Sequence, residues 1–139
     1  MKRGVRNCYR NNLTKKQKRR RERISRFNNK EPRSFKIGKQ SEEIVVVVLE
    51  KLKDDGLIKG FKRKNARGID FIIFLWDGRK KPFQVKSSWY WVQKHYEKFP
   101  NIPVVVVGNR YPDLGKRPKR FRYLVNSVYP SVRNLLSVA

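Results

Sequence analysis

The chain has a single cysteine, Cys8, and a single histidine, His95, in 139 residues. One cysteine excludes an intramolecular disulfide and a cysteine-based zinc site, and one histidine excludes a multi-histidine metal site. Acidic residues are scarce too: 11 Asp+Glu stand against 36 Lys+Arg, a formal net charge of +25. Apolar runs such as Ile44–Leu49 and Val104–Val107 are far shorter than the roughly 18 residues of a membrane-spanning helix. The basic N-terminus is not followed by the apolar stretch of a secretory signal. An intracellular, cytoplasmic protein is the expectation, and any catalysis must rest on carboxylates, lysines, tyrosines or hydroxyls.

What is abundant is positive charge. No core needs it, and like charges at this density repel one another unless a polyanion neutralises them. With a membrane disfavoured, the expected partner is nucleic acid, DNA first. Residues 1–33 hold Lys15, Lys16, Lys18, Arg19, Arg20 and Arg21 with almost no apolar side chains. Such a segment cannot bury enough surface to offset its ordering entropy. It reads as a basic arm, flexible or helical over Leu13–Arg26 on contact with phosphates. Pro32 marks its boundary with a folded domain over 34–139.

Within that domain the spacing predicts a helix over Gly38–Asp54, ended by Asp55-Gly56. Strands follow over Leu57–Arg63, Ile69–Trp76 and Lys81–Ser87, the last two joined at the turn signal Asp77-Gly78. A helix over Trp89–Phe99 stops at Pro100. The wholly apolar Pro103–Val107 suits a strand in the middle of a sheet covered on both faces. Phe121–Val125 reads as a last strand, and Pro130–Val138 as a C-terminal helix with Pro130 in its first turn. The order α-β-β-β-α-β-β-α is an α/β domain with a mixed sheet flanked by helices.

Helical spacing puts Glu42 on the face of Val45, Val46, Leu49 and Leu52, toward the sheet. Glu43 shares a face with Val47, Glu50 and Asp54, which looks solvent-facing. In the later helix Trp89, Val92 and Tyr96 share a face read as core. Tyr90, Lys94 and the lone His95 are read as surface groups. Aromatics beside a basic pocket could also stack on unpaired bases. Ser87 and Ser88 could bind phosphate or cap the helix. Lys116 and Arg117, with Arg67, could form a second basic wall.

Three polar features sit where a core pattern does not ask for them: Glu42-Glu43, Asp70 inside Gly68-Ile69-Asp70-Phe71-Ile72-Ile73-Phe74, and Gln84-Val85-Lys86 on the partner strand. Gln84 and Lys86, two apart, point to one face and near Asp70. A strand carboxylate is costly unless compensated. Lys86 in a structural ion pair is one compensation, and a divalent cation is another. Glu42-Glu43 has a structural reading too, as favourable charge at a helix N-terminus.

The ordered set Gly38…Ser41-Glu42, Gly68-Ile69-Asp70 and Phe83-Gln84-Val85-Lys86-Ser87-Ser88 resembles the PD-(D/E)xK nuclease superfamily over roughly Gly38 to Val107. This is the fold of many restriction endonucleases, Holliday-junction resolvases and RecB-type exonuclease domains. The resemblance implies phosphodiester hydrolysis with Mg²⁺ or Mn²⁺. Asp70 would be the central metal ligand, with Glu42 completing the site and the Val85 carbonyl as a further ligand. Lys86 would orient the attacking water and steady charge. Gln84 stands where the family usually has Glu or Asp. It keeps a coordinating oxygen but loses a charge, which favours one metal over two and leaves open a degenerate site that binds without cutting. Many nucleases of this fold pair to cut both strands, so a homodimer is also left open.

Overall fold

A computed structural model describes residues 14–25 and 32–137. The outer parts of the arm, the ends of the expected Leu13–Arg26 helix and Val138 lie outside these residues.

Thr14-Lys15-Lys16-Gln17 forms a reciprocal cap. The Gln17 N–H donates to Thr14 Oγ1 and the Thr14 N–H to Gln17 Oε1, both at 3.1 Å. Two of the N–H groups that a helix start leaves unpaired are thereby satisfied, and helix α1 runs over Lys15–Ser25. Gln17 is buried, and its amide donates to the Val47 carbonyl of the next helix at 3.4 Å.

Helix α2 spans Arg33–Asp54, beginning five residues earlier than expected. It ends as its sequence demands. Gly56, at φ 77°, donates to Lys53 O, and Leu57 donates to Leu52 O, which closes the last turn around a left-handed glycine. Val45, Val46, Val47 and Val48 are all buried. β-Branched residues are mediocre helix formers, so burial on every side, not propensity, holds this segment helical. The face of Glu43, Val47 and Glu50 is therefore not solvent-facing as expected; only Asp54 is exposed. Arg20 from α1 pairs with Glu50 at 2.6 Å and Glu43 at 3.5 Å across it.

Strands β1 (Gly60–Ala66), β2 (Ile69–Phe74) and β3 (Lys80–Lys86) form an antiparallel meander, and β4 (Val104–Val106) adds parallel to β3. The turn falls at Asp77-Gly78, with Gly78 at φ 89°. Phe71, Ile73, Phe83, Val85 and Val105 point to one face, where α2 and the last helix cover them. The Phe71 and Phe83 rings stack there at 5.7 Å. β4 lies at the sheet's edge, with Val104 and Val106 half-buried on the opposite face. The expectation of a central strand covered on both faces is thus corrected: an apolar run of four valines sits at an edge.

Between β3 and β4 the chain makes a 3₁₀ turn, Trp89–Trp91, and then the short helix α3, Val92–Lys98. After a second 3₁₀ turn, Leu114–Lys116, helix α4 runs over Pro118–Leu135. Phe121–Val125 is accordingly helix, not strand. Its apolar residues Phe121, Leu124, Val125, Val128 and Val132 recur at helical spacing and are all buried. Pro118, not Pro130, occupies the first turn. Pro130 sits inside the helix on its exposed side, where water can satisfy the carbonyl it leaves without a donor. The result is a mixed α/β architecture, a four-stranded mixed sheet flanked by helices.

Candidate functional site

The β2–β3 ladder ends at the pair Phe71–Phe83. Two residues further along β3, the Val85 N–H donates to the Asp70 carboxylate at 2.8 Å instead of to backbone of β2. The strands part here, and a side-chain oxygen fills the gap. Gln84 N–H and Lys86 C=O bond toward β4, so alternation turns the Val85 carbonyl toward the β2 side, beside Asp70.

Asp70 is half-buried, and its carboxyl is held above the usual range. Burial is the main cause, partly offset by the Val85 N–H and then by Lys86. Glu42, near the start of the buried part of α2, is raised as well, first by burial and next by the Asp70 carboxylate. Arg63 and Lys39 offset part of the Glu42 shift, and Lys86, His95 and Arg63 part of the Asp70 shift, yet burial still leaves both carboxyls raised. Glu43 is instead held by Arg63 at 2.6 Å. Among the described residues no three His, Cys, Asp or Glu side chains gather into a cage. A hard divalent cation that keeps several waters needs only one or two carboxylates, and Asp70, Glu42 and the Val85 carbonyl are oxygen donors of the kind it takes.

Gln84 and Lys86 line a cavity of about 510 Å³ with Gly68, Trp91, His95 and Phe99. The amide orientation that satisfies its neighbours has Gln84 Nε2 donating to His95 Nδ1 at 2.5 Å and to Gly68 O at 2.9 Å, while Oε1 accepts from Lys86 Nζ at 3.3 Å. His95 Nε2 lies 2.8 Å from Ile102 O, to which it can donate. A carboxylate at position 84 could not donate to either of the two acceptors it would face. Gly68 has to be glycine: its φ is +76°, and a Cβ would lie 2.5 Å from the Phe99 ring.

The structure therefore brings Asp70, Gln84, Val85 and Lys86 to one end of the sheet, with Glu42 on α2 near enough to feel the Asp70 charge. His95 was read as a surface group; it is buried, because α3 turns it under the sheet end onto Gln84. Its only sequence signal is its place at helical spacing from Phe99, with which its ring packs at 5.6 Å. Trp89 and Tyr96, read as core, are exposed. The 3₁₀ turn at Trp89–Trp91 winds more tightly than an α-helix, so Trp89 does not share the face that an α-helix from position 89 would give it. Tyr90 and Lys94 are exposed as expected.

Of the expected phosphate contacts, Lys15, Lys16, Arg19, Arg67 and Lys116 are exposed and Lys18 is half-buried. The Arg21 side chain lies outside what is described. Arg20 is turned inward, onto Glu50 and Glu43. Arg117 pairs with Asp113 at 2.9 Å and stacks over Tyr111. Ser87 and Ser88 are half-buried, and Ser88 makes no side-chain cap.

The raised carboxyls predict a stability effect. A carboxyl whose pKa is higher folded than unfolded contributes stability at low pH and loses it as pH rises through the folded value. At pH 7 without metal, Asp70→Asn and Glu42→Gln should each raise the melting temperature by a few degrees. The asparagine side chain keeps an oxygen for the Val85 N–H. The gain should vanish near pH 3, and added Mg²⁺ should stabilise the parent chain more than either variant. A lower melting temperature for both variants at pH 7 would contradict the desolvated pair.

Compared with known proteins, the chain matches no family model, no curated protein and no solved structure.

Proposed function

We propose that this protein is a divalent-metal-dependent nuclease of the PD-(D/E)xK type, with a restriction-endonuclease-like fold, acting on DNA. The observation that carries the reading is Asp70. Its half-buried carboxylate replaces a ladder partner of β3, raises the Glu42 carboxyl and is itself lowered by the Lys86 charge, on a chain of net charge +25. Asp70 and Glu42, with the Val85 carbonyl, would hold Mg²⁺ or Mn²⁺. Bound there, the metal would polarise the phosphate and lower the pKa of a water.

The chain's own groups supply the rest. Lys86 Nζ, held by Gln84 Oε1, would orient the water and offset charge building on the phosphoryl oxygens. Hydrolysis forms one bond from the water oxygen to phosphorus and breaks one P–O ester bond. The leaving oxygen takes up a proton. Gln84 supports this by orienting Lys86, so it is a positioning residue before it is a ligand.

One observation favours a second reading, nucleic-acid binding without cleavage: the Gln84 amide is fully committed to His95, Gly68 and Lys86. An incubation of purified protein with plasmid, single-stranded and branched DNA separates the two. Nicking or cutting in Mg²⁺ or Mn²⁺, abolished by EDTA, is the expected outcome. Tight binding with no metal-dependent cutting of any of the three would remove the enzyme reading.

A further inference from the structure

Directly after Lys86-Ser87-Ser88 the chain places three large aromatics in succession. Trp89 is 77 % exposed, Tyr90 79 % and Trp91 45 %. Isolated exposed apolar residues need no explanation, but a contiguous aromatic surface does. The arrangement is ordered locally: Tyr90 and Trp91 meet edge to face at 4.8 Å, and Lys94 Nζ sits 5.4 Å from the Trp91 ring centre. Trp91 is also a wall of the cavity that holds Lys86, Gln84 and His95, with Lys94 and Lys98 at its rim. The aromatic surface is therefore continuous with the Lys86 side of the candidate site, across a lining in which Lys94 and Lys98 outnumber Glu97.

Exposed rings that run up to a cavity lined by Lys86, Lys94 and Lys98 match one ligand chemistry closely: bases that have left a duplex stack, joined by phosphates. In a duplex the π-faces are already stacked, so a ring platform gains nothing from them. In an unpaired strand each base can stack on a ring, and the gain tolerates any sequence. We propose that Trp89 and Tyr90 form a stacking platform for an unpaired nucleic-acid strand, which passes over Trp91 into the cavity beside Lys86. This deepens the nuclease reading by naming its substrate class: a single strand, flap or junction arm rather than a continuous duplex. It rests on that reading for what happens in the cavity, though not for the binding itself.

The test reads binding in EDTA, so cleavage plays no part in it. Fluorescence anisotropy is measured with labelled oligo-dT, oligo-U and a blunt hairpin duplex of equal nucleotide count. Trp89→Ala/Tyr90→Ala should weaken binding of at least one single strand by about tenfold or more, and change hairpin binding by less than about twofold. Trp89→Phe/Tyr90→Phe, which keeps two ring faces, should stay near the parent chain. The tighter of oligo-dT and oligo-U identifies the strand chemistry, and either one supports the platform. Equal loss on all three probes overturns it, as does no loss on either single strand. Binding to phosphatidylserine vesicles that the alanine variant loses, with oligonucleotide binding intact, also overturns it, and so does self-association lost in the same way. Cleavage in Mg²⁺ is scored separately: absent cleavage with selective single-strand binding would sink the enzyme and leave the platform standing.

Discussion

Replacing Asp70 by Asn should reduce metal-dependent cleavage by at least about 10²–10³-fold, the usual scale for removing one preorganised electrostatic group at a reacting centre. Asn is the informative choice. It retains an oxygen for the Val85 N–H, which the parent chain bonds at 2.8 Å, so the parting of β2 and β3 stays closed while the charge disappears. Asp70→Ala removes both, and a loss seen only there would be structural. Lys86→Ala should fall into the same range, and Glu42→Gln somewhat less, since Glu42 replaces no ladder partner of the sheet. The control lies one residue along the helix. Glu43 is held by Arg63 and Arg20, so Glu43→Gln should cut at close to the parent rate. Nucleic-acid binding in EDTA should survive in Asp70→Asn, or tighten, since a negative charge has left a phosphate site. Cleavage that persists in Asp70→Asn would refute the site.

The candidate site was legible because its members break local patterns. A carboxylate inside Ile69–Phe74 is an exception that alternation cannot absorb, and the hairpin signal Asp77-Gly78 fixed which residues would face it. The helical period separates Glu42 from Glu43, although both side chains are half-buried in the fold. The same period misread the rest of that helix. Val47 and Glu50 looked solvent-facing, since nothing local announces that a basic helix will lie over them. Arg20 and Gln17 do so through contacts thirty residues away in the chain. Phe121–Val125 failed for a different reason. A short apolar run can be read with either period, and Pro130 looked like a helix start when Pro118 already supplied one. Trp89 leaves the expected core face because a 3₁₀ turn precedes α3, a tightening that side-chain pattern does not report, and nothing local announces that α3 turns His95 rather than Tyr96 inward. Gln84 is the most instructive. As a letter it looked like a lost charge, whereas in the fold its amide nitrogen donates to His95 and to the Gly68 carbonyl, a task open to an amide and closed to an ionised carboxylate.

The charge itself makes the second large prediction. Each phosphate neutralised by Lys or Arg releases counterions, so log affinity falls linearly with log salt, and six to ten such contacts cost roughly 10³–10⁵-fold between 50 and 200 mM salt. A loss on that scale is expected for duplex and single-stranded DNA alike. The fold determines which cations contribute. Lys15, Lys16 and Arg19 are exposed on α1, and replacing all three by Ala should reduce the slope by roughly two to three. Arg20 is spent on Glu50 and Glu43, so Arg20→Ala should loosen α1 from α2 and lower the melting temperature while leaving the slope nearly unchanged. Trp89→Ala/Tyr90→Ala should shift the single-strand line downward without tilting it, because stacking releases few counterions. A near-zero slope for the parent chain would remove nucleic acid as the partner, whatever the carboxylates do. A steep slope that the α1 triple variant fails to change would move the phosphate contacts to the cations around the cavity, where Lys94 and Lys98 stand beside Trp91.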